Sequence, residues 1–452
     1  MILALSIFIA FISYLFGVQG NVAISEALIL YLFLRLILKS REIFVFREFA
    51  LFLYAINYLI SPAITYSLDQ TLVSYPMKIK PDLYFSLSIP GFLFFLVGMY
   101  SIRTTCFKIK FNDIHKLSIV NEGFLKKITL IGLLLKIASL FVSGEIAFII
   151  YLFGLIRFVG AFALMGINLK RYIIWPVSIL LFELALGFIF GAYHDAIMWV
   201  IFFGLYYVYV NKPSITQILL GGGVAILLLL VIQAVKYKYR EEVWQGSKEA
   251  SLETVYEVGS ENVSSENLLG DANLLTTLNR GNQAWIFAST VDNMDRGKNF
   301  QGMTNVNKYL EAALLPRILA PNKIKSGDKE IFNEFSGHSI NGGTSMGLGI
   351  FADGYVAYGT TGVYIFAFVL GLIFSLTFKL VERWTKVSPF YVLLLLPLLN
   401  YAVRPDCELQ TTINHLFKGI LLYGFLVYLT RKRFTLDSAE NQRKLNHLNL
   451  MK

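Results

Sequence analysis

The chain consists of long apolar segments separated by short polar loops, with one long polar interval late in the sequence. Most apolar segments approach the roughly 20 residues that a helix needs to cross the hydrocarbon core of a bilayer. The predicted spans are Ile2–Val18, Val22–Leu38, Phe49–Ser67, Leu83–Ser101, Ile128–Val142, Ile146–Met165, Tyr172–Ala192, Ala196–Val210, Ile215–Val235, Tyr355–Val381, Val387–Val403 and Ile413–Thr430. The pattern predicts an all-α, polytopic integral membrane helix bundle of about 12 transmembrane helices, within a range of roughly 10–12.

The first apolar segment is expected to be a retained helix. It has neither a basic region before it nor a small-residue cleavage site after it, which is unlike a signal peptide. The short segments Ala196–Val210 and Val387–Val403 account for the lower end of the predicted range.

The spans divide the chain into four predicted regions. Residues 1–235 form a bundle of spans 1–9, residues 236–354 a large external loop, residues 355–430 spans 10–12, and residues 431–452 a basic tail. The loop contains 12 of the 40 Lys and Arg residues, together with aromatic residues and the apolar run Leu310–Leu319. A disordered segment is poor in such residues, so the loop is predicted to be an ordered cap over the chemical site. Thr304–Leu319 is predicted to be an interfacial or re-entrant helix that Pro316 kinks or ends.

Composition agrees with a membrane location. Hydrophobic residues make up 56% of the chain and charged residues 15%, and the mean hydropathy is +0.60. A soluble domain has about 25% charged residues. The net charge of +10 is explained by basic cytoplasmic loops, so no nucleic-acid partner is expected. Cys106 and Cys407 are predicted on opposite sides of the membrane, and neither has the spacing of a zinc ligand.

Loop charge predicts the orientation. With a cytoplasmic N-terminus, the inside loops, the inner end of the span Tyr355–Val381 and the tail carry 21 Lys and Arg residues, against 3 in the short outside loops. Cytoplasmic loops are enriched in these residues. Both termini are therefore predicted in the cytoplasm, with the long loop outside.

Several ionisable residues fall within predicted spans or next to them. Lys136, Arg157 and Glu183 lie near the middle of three spans, and such residues are costly unless paired or hydrated. They form either a structural ion-pair network or a cationic spot for an anionic lipid headgroup. The cationic run that ends at Arg240 emerges on the outer side, where it serves either an anionic partner or ordinary interfacial anchoring.

The end of the long loop concentrates residues with chemical potential. Arg317 and Lys323 are predicted at headgroup level, and an arginine fork binds two phosphate oxygens at once. His338 follows in a glycine-rich passage, which is either a ligand-binding loop or a flexible linker. Asp353 is predicted to be the N-cap of the next helix.

This passage resembles the end of the large external loop of O-antigen polymerases, the Wzy-type oligosaccharide repeat-unit polymerases. The resemblance covers about 50 residues, and the layout of many spans with one late external loop extends it over the chain. Family members often have Glu at the position of Asp353, and they have a Gly-x-Arg step where this chain has Gly191-Ala192-Tyr193-His194-Asp195. The matching residues are Pro316, Arg317, Pro321, Lys323, Gly327, Gly343, Thr344, Ser345, Gly349, Asp353, Tyr355, Gly359 and Gly362.

The resemblance implies transfer of a glycan from undecaprenyl diphosphate to a sugar hydroxyl on the next lipid-linked repeat, at the bacterial inner membrane. Such a site needs cations for the departing diphosphate and a base for the attacking hydroxyl. The base candidates are His338 and Asp353. A chain-length regulator, a polysaccharide co-polymerase, is the implied partner besides membrane lipid, and no cofactor is expected. The implied substrate-binding residues are Arg157, Arg240, Arg280, Arg317, Lys323, Tyr355 and Arg404.

Two alternatives to a polymerase remain open, and no metal site is predicted. O-antigen ligases have a histidine followed by a polar residue and then a spaced glycine, which His338, Ser339 and Gly349 fit, although Ala352 departs from the pattern. A polysaccharide flippase or transporter explains the spans and the buried charges but not the long external loop. The lone Asp-x-Glu pair, Asp406 and Glu408, is a weak metal motif, so no bound metal is expected.

Overall fold

The computed structural model describes residues 2–15, 17–42, 44–69, 73, 75–190, 194–244, 249, 251–262, 270, 282–317, 319–324, 327, 329–340 and 346–435. Within these ranges the chain is helical, with connecting turns and no β-strand. The predicted all-α class is therefore confirmed for the described residues.

The α-helices are numbered here in chain order. They are α1 (Ile2–Leu15), α2 (Gly20–Ser40), α3 (Phe46–Ala55), α4 (Ser61–Ser67), α5 (Pro81–Tyr100), α6 (Phe111–Val120), α7 (Glu122–Ala138), α8 (Gly144–Gly154), α9 (Ile156–Ile167), α10 (Leu169–Tyr172), α11 (Ile174–Phe190), α12 (His194–Asn211), α13 (Ile215–Trp244), α14 (Leu252–Asn262), α15 (Ala284–Asp295), α16 (Thr304–Leu314), α17 (Lys329–Ser336), α18 (Ile350–Val387), α19 (Leu395–Leu399) and α20 (Leu409–Thr430). A π-helical turn, Ile56–Ile60, joins α3 to α4, and 3₁₀ turns occur at Cys106–Lys108 and Pro389–Leu394.

Eight helical stretches in the described part of the chain are long and apolar enough to cross a membrane. The four other predicted spans are also helical, but α1, α7, α12 and the segment Pro389–Leu399 are too short or too polar to join the eight. The sequence is thus that of a helical membrane protein. The eight stretches are Gly20–Ser40, Phe46–Ser67, Pro81–Tyr100, Gly144–Ile167, Leu169–Phe190, Ile215–Val235, Ile350–Val387 and Leu409–Thr430.

The chain divides into two compact units, each built from several separate stretches. The first comprises Met1–Glu42, Ala55–Met77 and Val177–Trp285. The second comprises Ile43–Tyr54, Lys78–Pro176 and Ile286–Lys452.

In the first unit, helix α13 continues past its predicted end at Val235 to Trp244. Helix α14 packs on this extension, where Val258 joins Val235 and Tyr239 in a small buried core. The Tyr239 hydroxyl donates a hydrogen bond of 3.1 Å to the carbonyl of Ile189 on α11. The start of the predicted external loop is therefore an ordered continuation of the span.

In the second unit, α5 and α18 pack backbone to backbone. A Cβ atom on Gly98 would lie 2.2 Å from the carbonyl oxygen of Phe368, and one on Gly371 would lie 2.3 Å from that of Phe95. Close approach at small residues is a common way for membrane helices to associate, because it maximises van der Waals contact where lipid removes the hydrophobic driving force.

Helix α18 is interrupted near its start. Tyr358 has φ −144° and ψ 25°, and Gly359 has φ 61° and ψ −144°, a conformation that favours glycine. The backbone N–H groups of Gln301 and Gly302 donate to two carbonyls just before the break, over 2.9 and 3.0 Å. Partners of this kind let broken helices exist in membrane proteins.

Two predictions about the start of α18 are corrected. The helix begins at Ile350 rather than Tyr355, and the residue that precedes it is Gly349, with φ 82°. Asp353 is therefore in the first turn and is not the N-cap. Its side chain reaches Leu409, the first residue of α20, where its Oδ2 atom accepts the backbone N–H over 3.1 Å. Asp353 thus satisfies the N-terminus of a different helix, a function that local sequence does not reveal.

Candidate functional site

The second unit contains a polar pocket of about 310 Å³ between α8, α16, α20 and the segment after α16. This volume is at the lower end of the range for ligand pockets, about 300–1,000 Å³. Its lining residues are Gly144, Glu145, Phe148, Ala312, Arg317, Lys323, Ile324, Tyr401, Gln410, Thr411, Asn414, His415 and Lys418.

Pro316 determines how the cations reach this pocket. Helix α16 ends at Leu314, and Leu315 is extended, as expected for a residue before proline. The backbone then turns, and the N–H groups of Leu319 and Ala320 both donate to the carbonyl of Pro316. Of the two effects predicted for Pro316, a kink or a helix end, the structure shows the helix end. The turn directs Arg317 and Lys323 toward the start of α8.

Glu145 is the anion at the centre of the cations. One of its carboxylate oxygens lies 2.5 Å from Lys323 Nζ and 4.0 Å from Arg317 Nε. The other accepts the backbone N–H of Arg317 over 3.3 Å. Only 4% of the Lys323 side chain is exposed, against 41% of the Arg317 side chain. Lys323 is thus part of the wall, whereas the Arg317 guanidinium is accessible to a ligand.

Lys418 brings a third cation to the pocket from α20. Its Nζ atom lies 5.3 Å from the centre of the Phe148 ring, a cation–π contact. In the described part of the chain it forms no salt bridge to a carboxylate. Three cations and one carboxylate give the lining a formal charge of +2 with His415 neutral. A pocket of this charge suits an anionic ligand such as a phosphate ester.

His415 is held deep in the same wall. Its Nε2 atom lies 2.8 Å from the carbonyl oxygen of Pro397, so this nitrogen carries the proton, because a carbonyl only accepts. The ring also packs against Phe148 and Tyr401. His415 therefore stabilises the wall and fixes the position of its neighbours on α20.

Asp353 lies outside the lining of this pocket and is fully engaged by the protein. The Tyr309 hydroxyl donates to its Oδ1 atom over 3.1 Å, and the Leu409 N–H donates to Oδ2. Neither bond involves His338, so the two base candidates are not bonded to each other. Asp353, on α18, instead joins that helix to α16 and α20, two of the helices that line the pocket.

His338 lies on the turn after α17, and its partner is on α15. Its Nε2 atom is 3.0 Å from the Ser289 hydroxyl. Partial burial and the positive charge of nearby Lys78 lower the pKa of His338 below its ordinary value. The preceding Gly337 has φ 69°, which allows the turn. His338 is therefore neutral at physiological pH, and it is not a lining residue of the cationic pocket.

Comparison with known proteins identifies the family. Residues 84–386 match the family described as a domain of unknown function, DUF8712, and this match covers more than half of the chain. The chain belongs to the DUF8712 family. No curated protein and no solved structure matches the sequence. The DUF8712 match includes Glu145, Arg317 and Lys323, whereas the α20 side of the pocket follows it.

Two other predicted substrate-binding residues within the DUF8712 match, Arg157 and Tyr355, lie outside the pocket lining. Arg157 is fully buried, its Nη1 atom donates to the carbonyl of Gly154 over 2.6 Å, and its guanidinium faces the Phe158 ring. The Tyr355 hydroxyl donates to Asp295 over 2.7 Å. Both residues connect helices of the second unit. Arg280, Gly343, Thr344, Ser345 and the side chain of Arg240 lie outside the described residues.

Arg404 comes after the DUF8712 match and lies beside the pocket. Its guanidinium forms two hydrogen bonds to Asp406, of 3.2 and 2.8 Å, and stacks over the ring of Tyr401, a lining residue. Glu408 accepts the N–H of Gly327 and the hydroxyl of Thr411. The predicted weak metal motif thus consists of two carboxylates with separate protein partners.

Sequence reasoning missed Glu145 and the polar side of α20. The α20 residues recur at helical spacing, as Gln410, Asn414 and Lys418, in the first half of a helix whose second half is mostly apolar. Positions four apart lie on the same face of a helix. A search for polar stripes within spans would have found this row. Glu145 gives no comparable signal, because its partner Arg317 is 172 positions away.

Proposed function

We propose that this protein is a glycosyltransferase that polymerises undecaprenyl-diphosphate-linked oligosaccharide repeat units into O-antigen or a related surface polysaccharide. It acts on the outer face of the bacterial inner membrane. One observation carries the proposal: Arg317, Lys323 and Lys418 converge on one pocket that holds a single carboxylate. Two of these cations belong to the motif that resembles O-antigen polymerases.

Exposed apolar side chains near the cations support a lipid-linked substrate. Ile146, beside Glu145, is 64% exposed, and Leu319, two residues after Arg317, is 70% exposed. Leu314 and Leu315 at the end of α16 are also exposed. Apolar residues beside cations are typical of segments at a membrane interface, where the cations meet headgroup phosphates. A polyprenyl diphosphate presents this combination of phosphate and hydrocarbon.

The proposed reaction follows from the charges. The bond between the donor sugar C1 atom and the diphosphate oxygen breaks, and undecaprenyl diphosphate leaves. The acceptor hydroxyl oxygen bonds to C1, and its proton passes to a base or to water. Negative charge grows on the leaving diphosphate, so positioned cations stabilise the transition state more than the ground state. Arg317 contributes a planar fork of donors and Lys418 a point charge.

The proton of the acceptor hydroxyl requires a base. Asp353 already accepts two hydrogen bonds, so we assign it a positioning role through α16 and α20. We propose His338 as the general base that accepts the proton of the acceptor hydroxyl. A general base contributes about 10²–10⁴-fold to a rate, whereas one neutral hydrogen bond contributes about tenfold or less. His338→Ala is expected to lower turnover by at least about 100-fold with purified protein and lipid-linked repeat units.

A pH profile provides the control for this prediction. Because burial lowers the pKa of His338, the ring stays neutral to a pH below its ordinary value. Activity is expected to fall only below about pH 6.5. This loss of activity at acidic pH should be absent in His338→Gln. If His338→Ala keeps more than about a tenth of wild-type turnover, His338 is not the base.

The glycan profile of cells lacking the protein tests the function as a whole. Surface chains of a single repeat unit are the expected result for a polymerase. Lipid A without any attached glycan would instead indicate a ligase, and accumulation of lipid-linked units on the inner side would indicate a flippase. A chain-length regulator is the expected partner, so its loss should alter the length distribution without removing the polymer.

The orientation is tested by thiol labelling in intact cells. With the proposed topology, a cysteine at Glu261 lies outside and one at Ser438 lies inside. An impermeant thiol reagent should label Glu261→Cys and not Ser438→Cys in a background where Cys106 and Cys407, both buried, are serine. Permeabilised cells should label both positions. Labelling of Ser438→Cys alone in intact cells would reverse the topology.

A further inference from the structure

Two amide side chains in the cationic pocket lack protein partners. The Oδ1 atom of Asn414 is buried and accepts no hydrogen bond from any described residue. Gln410, one helical turn earlier, is also buried at 3% exposure, and its amide makes no hydrogen bond within the described part of the chain. Buried polar groups are nearly always satisfied, so the unsatisfied Asn414 oxygen, with the unpartnered Gln410 amide beside it on the same cavity, indicates a ligand that supplies the missing bonds.

The chemistry of an amide defines what this ligand offers. An amide presents both donors and an acceptor, whereas a phosphate group with no proton only accepts. A sugar hydroxyl donates one hydrogen bond and accepts others, so it matches both ends of the amide. The two amides therefore suit the hydroxyl groups of a sugar better than they suit the diphosphate.

The two amides and Lys418 lie on the same face of α20 but at different heights along the helix. Gln410, Asn414 and Lys418 are spaced four residues apart, so each step rises about 6 Å along one face of α20. Lys418 is thus about 12 Å further along the helix than Gln410. In the proposed topology α20 runs inward from the outer face, which puts the amides nearer water and Lys418 nearer lipid. A lipid-linked glycosyl diphosphate has the same order, with the sugar outside and the phosphates closer to the bilayer.

We infer that Gln410 and Asn414 form a sugar subsite that binds hydroxyl groups of the residue attached directly to the diphosphate. This inference rests on the proposed function. The pocket then has two parts: Arg317 and Lys418 bind phosphate, and the two amides bind sugar. Asn414 determines preference for a glycosylated lipid over the bare polyprenyl diphosphate.

The test is equilibrium binding of two probes to the full chain in lipid nanodiscs. The probes are undecaprenyl diphosphate and undecaprenyl-diphosphate-linked N-acetylglucosamine. The wild type is expected to bind the glycosylated probe about 5–10-fold more tightly, the effect of one or two hydrogen bonds. Asn414→Leu, which keeps the side-chain size, should bind both probes equally, and Gln410→Met should reduce the preference. Asn307→Leu, at an exposed position of α16, is the matched control and should keep it.

Binding of undecaprenyl diphosphate by each variant reports that the pocket is still folded. An unchanged preference in both Asn414→Leu and Gln410→Met overturns the sugar subsite, as does a wild type that binds both probes equally. Arg317→Ala separates this failure from failure of the proposed function. It should weaken both probes equally, and unchanged binding of both probes by Arg317→Ala would overturn the proposed function itself.

Discussion

Arg317→Ala is expected to lower polymerising turnover by about 10²–10³-fold, the cost of removing one preorganised donor that stabilises developing negative charge. The guanidinium is accessible in the pocket, and its Nε atom is 4.0 Å from Glu145, so removing it leaves the close Lys323–Glu145 pair intact. Turnover is measured with purified protein and undecaprenyl-diphosphate-linked repeat units at equal protein concentration.

Two further variants make this prediction specific. Arg317→Lys keeps the charge but loses the planar fork, so it should retain only part of the activity. Arg296→Ala is the matched control, because Arg296 is 71% exposed and pairs with Asp292 near the end of α15, the helix that it directly follows. That variant should behave as wild type. Full activity of Arg317→Ala at normal protein level would exclude Arg317 from the site.

Lys323→Ala tests the stabilisation of the leaving diphosphate by the cations less directly than Arg317→Ala. The Lys323 side chain is nearly inaccessible, and its ammonium group also donates to the carbonyl of Leu315. Its removal leaves the Glu145 carboxylate without its closest cation, and a partly buried charge without its partner destabilises the folded protein. Loss of activity in Lys323→Ala would therefore mix a binding effect with a folding effect. Arg317→Ala avoids the folding effect, because it leaves the Lys323–Glu145 pair intact.

The sequence predicts those features that depend on local pattern. Helix occupies most of the described residues in each of the twelve predicted apolar segments, because their length and hydropathy are properties of consecutive residues. Pro316 ends α16 as predicted, because the missing N–H and the ring act on adjacent residues. Arg317 and Lys323 were found through a local motif.

Features that depend on distant contacts were not predictable in this way. The interruption of α18 at Gly359 is stabilised by backbone donors from Gln301 and Gly302, which lie far earlier in the chain. Asp353 satisfies the start of α20 instead of its own helix. Glu145 joins the cations only because α8 and the segment after α16 meet in the folded unit. Periodicity identifies elements, but it carries no information about which of them come together.

The contact between α5 and α18 is the clearest case in which a small side chain is required by a distant partner. Gly98 faces the Phe368 carbonyl, and Gly371 faces the Phe95 carbonyl. In each case the obstructing atom is backbone, so a rotamer change cannot relieve the overlap. A methyl group on either glycine requires the two helices to separate, with loss of the contacts along their shared face.

Gly98→Ala is therefore expected to destabilise the protein by about 1–3 kcal/mol, the usual cost of overpacking, and to lower its thermal unfolding temperature in detergent by several degrees. Gly222→Ala is the matched control, since it is also a mid-helix glycine in an apolar span, on α13, and a Cβ atom there meets nothing within 4 Å. Alanine favours a helix over glycine by up to about 1 kcal/mol, so this control should be neutral or slightly stabilised. Unfolding is followed by the loss of monodisperse protein on size-exclusion after heating. Equal unfolding temperatures for Gly98→Ala and Gly222→Ala would show that the α5–α18 backbone contact does not limit stability.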